Sequence, residues 1–431
     1  MLVDHLRGQG TEADEDESNA AEGMRTVRAG FIQLIDCALL LVAAEKGFAR
    51  NQNINLELSR EASWANIRDK LNLGHFDCAH LLAGMAVASQ LKVGNPMVSV
   101  IAPMSLGLNG NAITVSTALW EKMAGLGGLS GSEGPKEMGA VLAQVVANRN
   151  LAGEAPLSFG MVYPYSSHNY ELRYWLAEAG IHPDRDVRLS VVPPSYMPDC
   201  LDSGHLDGFC VGEPWNSLSV AAGIGWVIVP TSALWRASPE KVLGVRTEWA
   251  ESHPDALDGL IRALKAAATW AGNADNRDEL AQLLARPNAL NLPADLIRKI
   301  LAGEILRPGG LDFTAVEDYI VFDKGAATFP WRSQALWFYS QMVRWGQVEP
   351  SAEGEEASAG SYRPDIYRRA LAGTGTTMPS ANAKVEGALV EATAVGSNSG
   401  RLYLGPDIFF DGRRFDPDAI EAYIAGFDIH S

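Results

Sequence analysis

The stretch DGFCVGEPWN, residues 207–216, decides how the rest of the chain is read. Gly208, Phe209, Cys210 and Val211 form an apolar run too short for a helix, and Gly212-Glu213-Pro214 ends it abruptly. Gly212 has no side chain, so a ligand can come close to its backbone N–H. Pro214 fixes its own φ and pushes Glu213 toward extended geometry. A buried strand ending in a rigid turn with an open amide suits the floor of a small-ligand cleft. Taken alone, the segment reads first as an ordinary strand exit in an α/β protein.

Working outward, the upstream half alternates strand and helix. Val27, Ala29 and Phe31 alternate into a first strand, Asp36 is placed to cap a helix over 37–46, and Gly47 ends it. Ile54, Leu56 and Leu58 form a second strand. Ser63 then caps a helix whose first turn carries Trp64, with Ile67 and Leu71 facing inward. Residues 77–82 and 97–101 read as buried strands. LGLNGNAI (106–113) is either a plain turn or the place where the chain leaves one lobe and sets Asn111 in a cleft. A second α/β block covers 157–229, with Ser166 or Ser167 capping the helix that begins near His168. The alternation predicts largely parallel sheets with helices on both faces. Further on, 253–305 is helical, 331–347 is an aromatic amphipathic helix, and Gly/Ser/Glu-rich 350–362 reads as loop. Helices are also read at 364–372 and near 417–427.

Composition narrows the function. With 431 residues, 47% hydrophobic and 20% charged, the chain is globular and long enough for more than one lobe. Its net charge of −17 argues against direct binding of nucleic acid or an anionic membrane. Cys37, Cys78, Cys200 and Cys210 form no CxxC and have no His at zinc spacing, so neither a metal nor another cofactor is expected. The Gly-rich loop 125–134 lacks phosphate-loop spacing. No Ser/His/Asp order or nucleotide fingerprint supports an enzyme.

Motifs across residues 25–346 carry a resemblance: GFIQLIDCALLLVAAEKGFA, LSREASWANIRDKL, LNGNAI, SSHNYELRYWLAEAGI, VVPPS, DGFCVGEPWN, LWRASPEKVLGVR and SQALWFYSQMVRWG. Together they resemble the nitrate/nitrite-binding members of the ABC-transporter receptor family. The resemblance implies a periplasmic-binding-protein-like type II α/β fold, two lobes with a ligand cleft between them. On that reading 26–113 and 240–346 form the first lobe and 114–239 the second. Residues 347–431 are a C-terminal extension on the first lobe, and 1–25 are a disordered acidic tail. The family site maps onto Trp64, Asn111 (where the nitrate receptor has Gln), His168, Gly212 and Lys241. The shorter amide of Asn111 leaves room for water or shifts the preference between nitrate and nitrite.

The chemistry agrees independently. Nitrate is planar, monovalent and acceptor-only, so its site calls for donors, one positive charge and no adjacent carboxylate. Indole N–H, carboxamide, imidazole, backbone N–H and ammonium supply this. Because no basic–apolar leader follows Met1, a cytoplasmic location is expected. The resemblance then lies closest to the cytoplasmic nitrate/nitrite sensors of assimilation operons (NasS type), which partner with an ANTAR-type RNA-binding antiterminator (NasT type). The competing reading is a periplasmic nitrate, nitrite or bicarbonate receptor of an ABC transporter. Bicarbonate carries a donor hydrogen that this donor set suits less well.

Overall fold

The computed structural model describes residues 23–94, 97–131, 133–306 and 313–431. The acidic tail expected over 1–25 therefore lies mostly outside the described residues, and Arg25 already opens the first strand. In chain order the first lobe contains β1 (Arg25–Ile32), α1 (Ala38–Glu45), β2 (Ile54–Glu61), α2 (Trp64–Asn72), β3 (Cys78–Leu82), α3 (Ala83–Leu91) and β4 (Val100–Ser105). The short β5 (Leu108–Asn109) lies at the crossing. The second lobe follows with β6 (Asn111–Ser116), α4 (Thr117–Gly127), α5 (Pro135–Ala152), β7 (Leu157–Met161), α6 (Ser167–Glu178), β8 (Val187–Val191), α7 (Met197–Asp202), β9 (Gly208–Gly212), α8 (Trp215–Ala221) and β10 (Gly225–Pro230). The chain returns in β11 (Lys241–Arg246) and continues through α9 (Thr247–Ser252), α10 (Pro254–Gly272), α11 (Arg277–Ala285), α12 (Ala294–Leu301), α13 (Arg332–Arg344), α14 (Ala352–Ser361), α15 (Pro364–Leu371) and α16 (Ile420–Ala425).

Each lobe is built on a five-stranded sheet, ordered β2-β1-β3-β11-β4 in the first and β10-β6-β9-β7-β8 in the second. The sheets are mixed, not largely parallel. β1 runs parallel to β2 and β3, but β11 is antiparallel to β3 and β4. β7 runs parallel to β8 and β9, while β6 is antiparallel to β9 and β10. The reversal follows from connectivity: β6 and β11 each enter their sheet from the opposite lobe.

Period-two burial sorts side chains between faces. Val27, Ala29 and Phe31 of β1 pack into one core with Leu39 and Leu40 of α1 and Leu260 and Leu264 of α10. Ala79 and Leu81 of β3 pack into another with Val87 of α3 and Phe338 and Met342 of α13. The apolar stripe of α10 (Leu257, Leu260, Ile261, Leu264, Ala267, Ala268) has helical three- and four-residue spacing.

Two local expectations change. Residues 350–362 hold a helix, not only loop: Ser351 Oγ caps α14 by accepting from Gly354 N at 3.0 Å. Its small residues suit close packing, since a Cβ on Gly354 would meet the Tyr339 ring at 3.0 Å. Asp36 caps no helix; it sits inside a 3-10 turn (Ile35–Cys37), and its carboxylate turns toward the cleft.

The crossing segments are stitched together by Asn109, which adopts a left-handed φ of 65°. Its Nδ2 donates to Arg236 O (3.0 Å) and Asp318 O (2.8 Å), and its Oδ1 accepts from Ser238 N (3.0 Å). The C-terminal segment reaches both lobes. α16 packs on α13, while Phe409 stacks on Trp235 at 4.6 Å and Tyr174 Oη donates to Asp411 at 2.6 Å.

Candidate functional site

The stretch read first from the sequence sits where the lobes meet. β9 ends at Gly212, and the turn after it grips the first lobe: Ile35 N donates to Glu213 O at 2.8 Å and Trp215 Nε1 to Gln33 O at 2.9 Å. The Glu213–Pro214 peptide is cis.

The structure brings all the predicted site residues into one enclosed cluster. Antiparallel register sets Asn111 opposite Gly212. A Cβ built on Gly212 would lie 3.2 Å from Asn111 Oδ1 and 3.7 Å from His168 Nε2, so the missing side chain is what leaves room between them. His168 occupies the first turn of α6, whose cap is Ser166 Oγ accepting from Asn169 N at 3.1 Å. Lys241 opens β11 beside Leu82 of β3, and its Nζ lies 5.5 Å from the centre of the Trp64 ring. Trp64 stands at the start of α2, capped by Ser63 as expected, with its ring 5.5 Å from that of His80. Trp64, Asn111, His168 and Lys241 are each no more than 1% exposed.

Several of these buried polar atoms have no hydrogen-bond partner among the described residues: Trp64 Nε1, Asn111 Oδ1 and both ring nitrogens of His168. Burying such groups unpaired is costly, and their convergence from both lobes marks a place built for a polar ligand.

The sequence reading missed the acids. No carboxylate was expected beside the site, yet Asp36, Glu240 and Glu171 all touch its residues. Lys241 Nζ pairs with Asp36 Oδ2 at 3.0 Å and, more closely, with Glu240 Oε1. Glu240 Oε2 accepts from Ser167 Oγ at 2.6 Å, across the lobe boundary. His168 Nε2 lies 2.9 Å from Glu240 Oε1, close to the carboxylate but outside hydrogen-bond alignment. Asp36 Oδ1 lies 2.8 Å from His80 Nε2; because His80 Nδ1 accepts from Ile32 N, the Nε2 atom carries the proton. A buried lysine requires such partners, which is why its charge is not free in the cleft.

Protonation follows from these contacts. Burial alone would lower the pKa of Lys241, but Asp36 and Glu240 outweigh it and raise the value. Burial resists ionisation of Asp36 and Glu240, yet Lys241 beside Asp36, and His168 and Lys241 beside Glu240, hold both below the carboxylate range. His168 is pushed down by burial and stays neutral, able to donate one hydrogen bond. Burial pushes Glu171 up to about 8, making it a neutral acid at pH 7. One positive charge thus faces two negative ones in the cluster.

Signals for these acids were present but had innocent readings. Glu240 precedes Lys241, and Glu171 lies three residues after His168 on one helix face. His80 is a lone polar residue in the buried strand CAHLL.

Comparison with known proteins bears on this arrangement. The NMT1-like family matches residues 20–285. The nitrate import ATP-binding protein NrtC of Synechocystis sp. is 34% identical over 343 residues, 79% of this chain; the chain spans about half of that relative's length, 49%. The nitrate/nitrite binding protein NrtA of Nostoc sp. is 30% identical over 405 residues, 93% of this chain and 85% of NrtA. In three dimensions the chain is similar to the periplasmic nitrate-binding protein NrtA from Synechocystis. The TM-score is 0.82 at 26% identity, covering 94% of this chain and 99% of that one. The fold is the two-lobe periplasmic-binding-protein-like α/β fold, and the chain belongs to the NMT1-like family.

Proposed function

We propose that this chain is a receptor that closes its lobes on a small inorganic oxyanion, nitrate or nitrite, as the binding component of an ABC importer, and that it catalyses no reaction. The observation that carries this reading is the convergence of buried, unpartnered Trp64 Nε1 and His168 from opposite lobes beside Lys241. Trp64 Nε1 is donor-only, neutral His168 donates once, and Lys241 has one ammonium N–H beyond the two that face Asp36 and Glu240. An acceptor-only anion satisfies all three together. Relatives named as nitrate/nitrite-binding and nitrate-import proteins support the same ligand class.

The partner on this reading is a membrane permease, not an ANTAR-type antiterminator. Relatives named for nitrate import and for nitrate/nitrite binding support a transport receptor over a cytoplasmic sensor. The test is calorimetric titration of ligand-stripped protein with nitrate, nitrite, bicarbonate and sulfate. Saturable one-site binding of nitrate or nitrite is expected. Folded protein that binds neither would overturn the reading.

A further inference from the structure

Glu171 lies one turn beyond His168 on α6, is 3% exposed, and stands behind Asn111. Its Oε2 accepts from Asn111 Nδ2 at 3.3 Å, and its Oε1 accepts from Ser238 Oγ. With its NH2 turned back in this way, Asn111 presents Oδ1 toward Gly212 and His168, and that oxygen has no partner. An ionised Glu171 therefore makes the cleft offer an acceptor along this edge.

A protonated Glu171 allows the reverse arrangement. Protonated on Oε2, the acid can donate to Oδ1 once the carboxamide, whose two ends are nearly the same size, turns over so that the NH2 faces the cleft. Among the described residues no other hydrogen bond holds the amide: the nearby Thr231 Oγ1 donates to the Asn111 backbone oxygen. An acceptor-only anion needs the NH2, whereas an anion with its own O–H can use the carbonyl.

We infer that Glu171 is a specificity-determining residue, whose proton sets which end of the Asn111 amide meets the anion. The neutral acid selects an acceptor-only anion such as nitrate, and the carboxylate selects an anion that carries a hydrogen. This rests on the proposed anion site and names what tunes it. The surroundings fit a proton exchanged near neutral pH. Burial is the main cause that raises Glu171, to about 8, and the charge of Glu240 adds to it, against Ser238, Asn111 and Lys241. Cys210 of β9 also faces Glu171, and burial keeps its thiol neutral.

The experiment measures nitrate affinity from about pH 6.5 to about pH 9 for the full chain and for Glu171→Gln, with infrared difference spectra on adding nitrate near pH 8.5. Nitrate keeps one charge throughout, so any pH dependence belongs to the protein. For the wild-type chain the affinity is expected to level off below about pH 7 and to fall about tenfold per pH unit above about 8. Glu171→Gln, which cannot ionise, is expected to give a flat profile. Nitrate is also expected to raise a protonated-carboxyl band in the wild-type spectrum, a readout that needs no variant. A flat wild-type profile with no such band overturns the inference and leaves the anion site standing. A pH dependence that persists in Glu171→Gln assigns the proton to another group and also overturns it. Nitrate binding at no pH overturns the anion site and this inference together.

Discussion

Lys241 Nζ and Asp36 Oδ2, 205 residues apart in sequence, form a 3.0 Å ion pair at the floor of the interlobe cleft. Glu240 closes on the same ammonium. Lys241 is thus a structural counter-ion before it meets any ligand. Lys241→Met leaves Asp36 and Glu240 buried without their cation. We expect a loss of about 3–5 kcal/mol in denaturant unfolding and loss of nitrate binding. Adding Asp36→Asn should recover part of the stability and none of the binding. A single variant that melts like the wild type would mean the pair contributes nothing.

Trp64→Phe keeps an aromatic ring beside His80 and Lys241 while deleting the indole N–H. Nitrate affinity should drop by about 1–2 kcal/mol, roughly tenfold in Kd, with Tm little changed. An unchanged Kd by calorimetry would take Trp64 Nε1 out of the site.

Gly212→Ala places a methyl 3.2 Å from Asn111 Oδ1 and 3.3 Å from Leu34 Cδ2. Gly212 lies in β9 without a left-handed φ, so the backbone tolerates alanine. The expected outcome is a folded protein whose nitrate affinity falls by at least about tenfold. Circular dichroism with titration separates the two effects.

Stability should decline through neutral pH. Burial raises Glu171 to about 8 and Glu213 to about 7, although Tyr319 and Ser217 hydrogen-bond to Glu213. Unfolded, both ionise near the ordinary Glu value, so the folded state binds more protons in between. Their contribution is full below that ordinary value and is lost as pH rises through the folded values. Asp36 and Glu240, held low, lose theirs only on acidification. His168, also held low, gives the opposite slope, but only up to about pH 6.5. Tm should therefore fall from about pH 6.5 to about pH 8 and level off above that, and the fall should be smaller in Glu213→Gln.

The C-terminal segment is expected to stabilise the whole molecule. Phe409 stacks on Trp235 and lies against Tyr174, beside the Tyr174–Asp411 hydrogen bond. Phe409→Ala should cost about 3–5 kcal/mol in urea unfolding. A negligible cost would show that this contact is not part of the cooperative unit.

Much of the fold was legible because strands and helices announce themselves by local periodicity. Ser63 and Ser166 cap the helices that carry Trp64 and His168, as their positions suggest. What was not legible depends on distant partners. The antiparallel entry of β6 and β11 is decided by the lobe from which the chain arrives. Helix α14 was hidden because Gly354, Ser358 and Ser361 read as loop residues until Tyr339 packs against Gly354. The donors of the site were found through the resemblance and their chemistry. The acids were not, because Asp36 looks like a cap, Glu240 like a loop acid and Glu171 like a helix polar residue. Only the folded pairing over long sequence distances gives them their roles.

The measurement that tests the central claim most directly is a crystal structure of the protein grown with saturating nitrate. Nitrate is predicted between the lobes, within hydrogen-bond distance of Trp64 Nε1 and His168 and beside Lys241, facing Gly212. A cleft without nitrate at saturation, or nitrate held only outside it, would contradict the account.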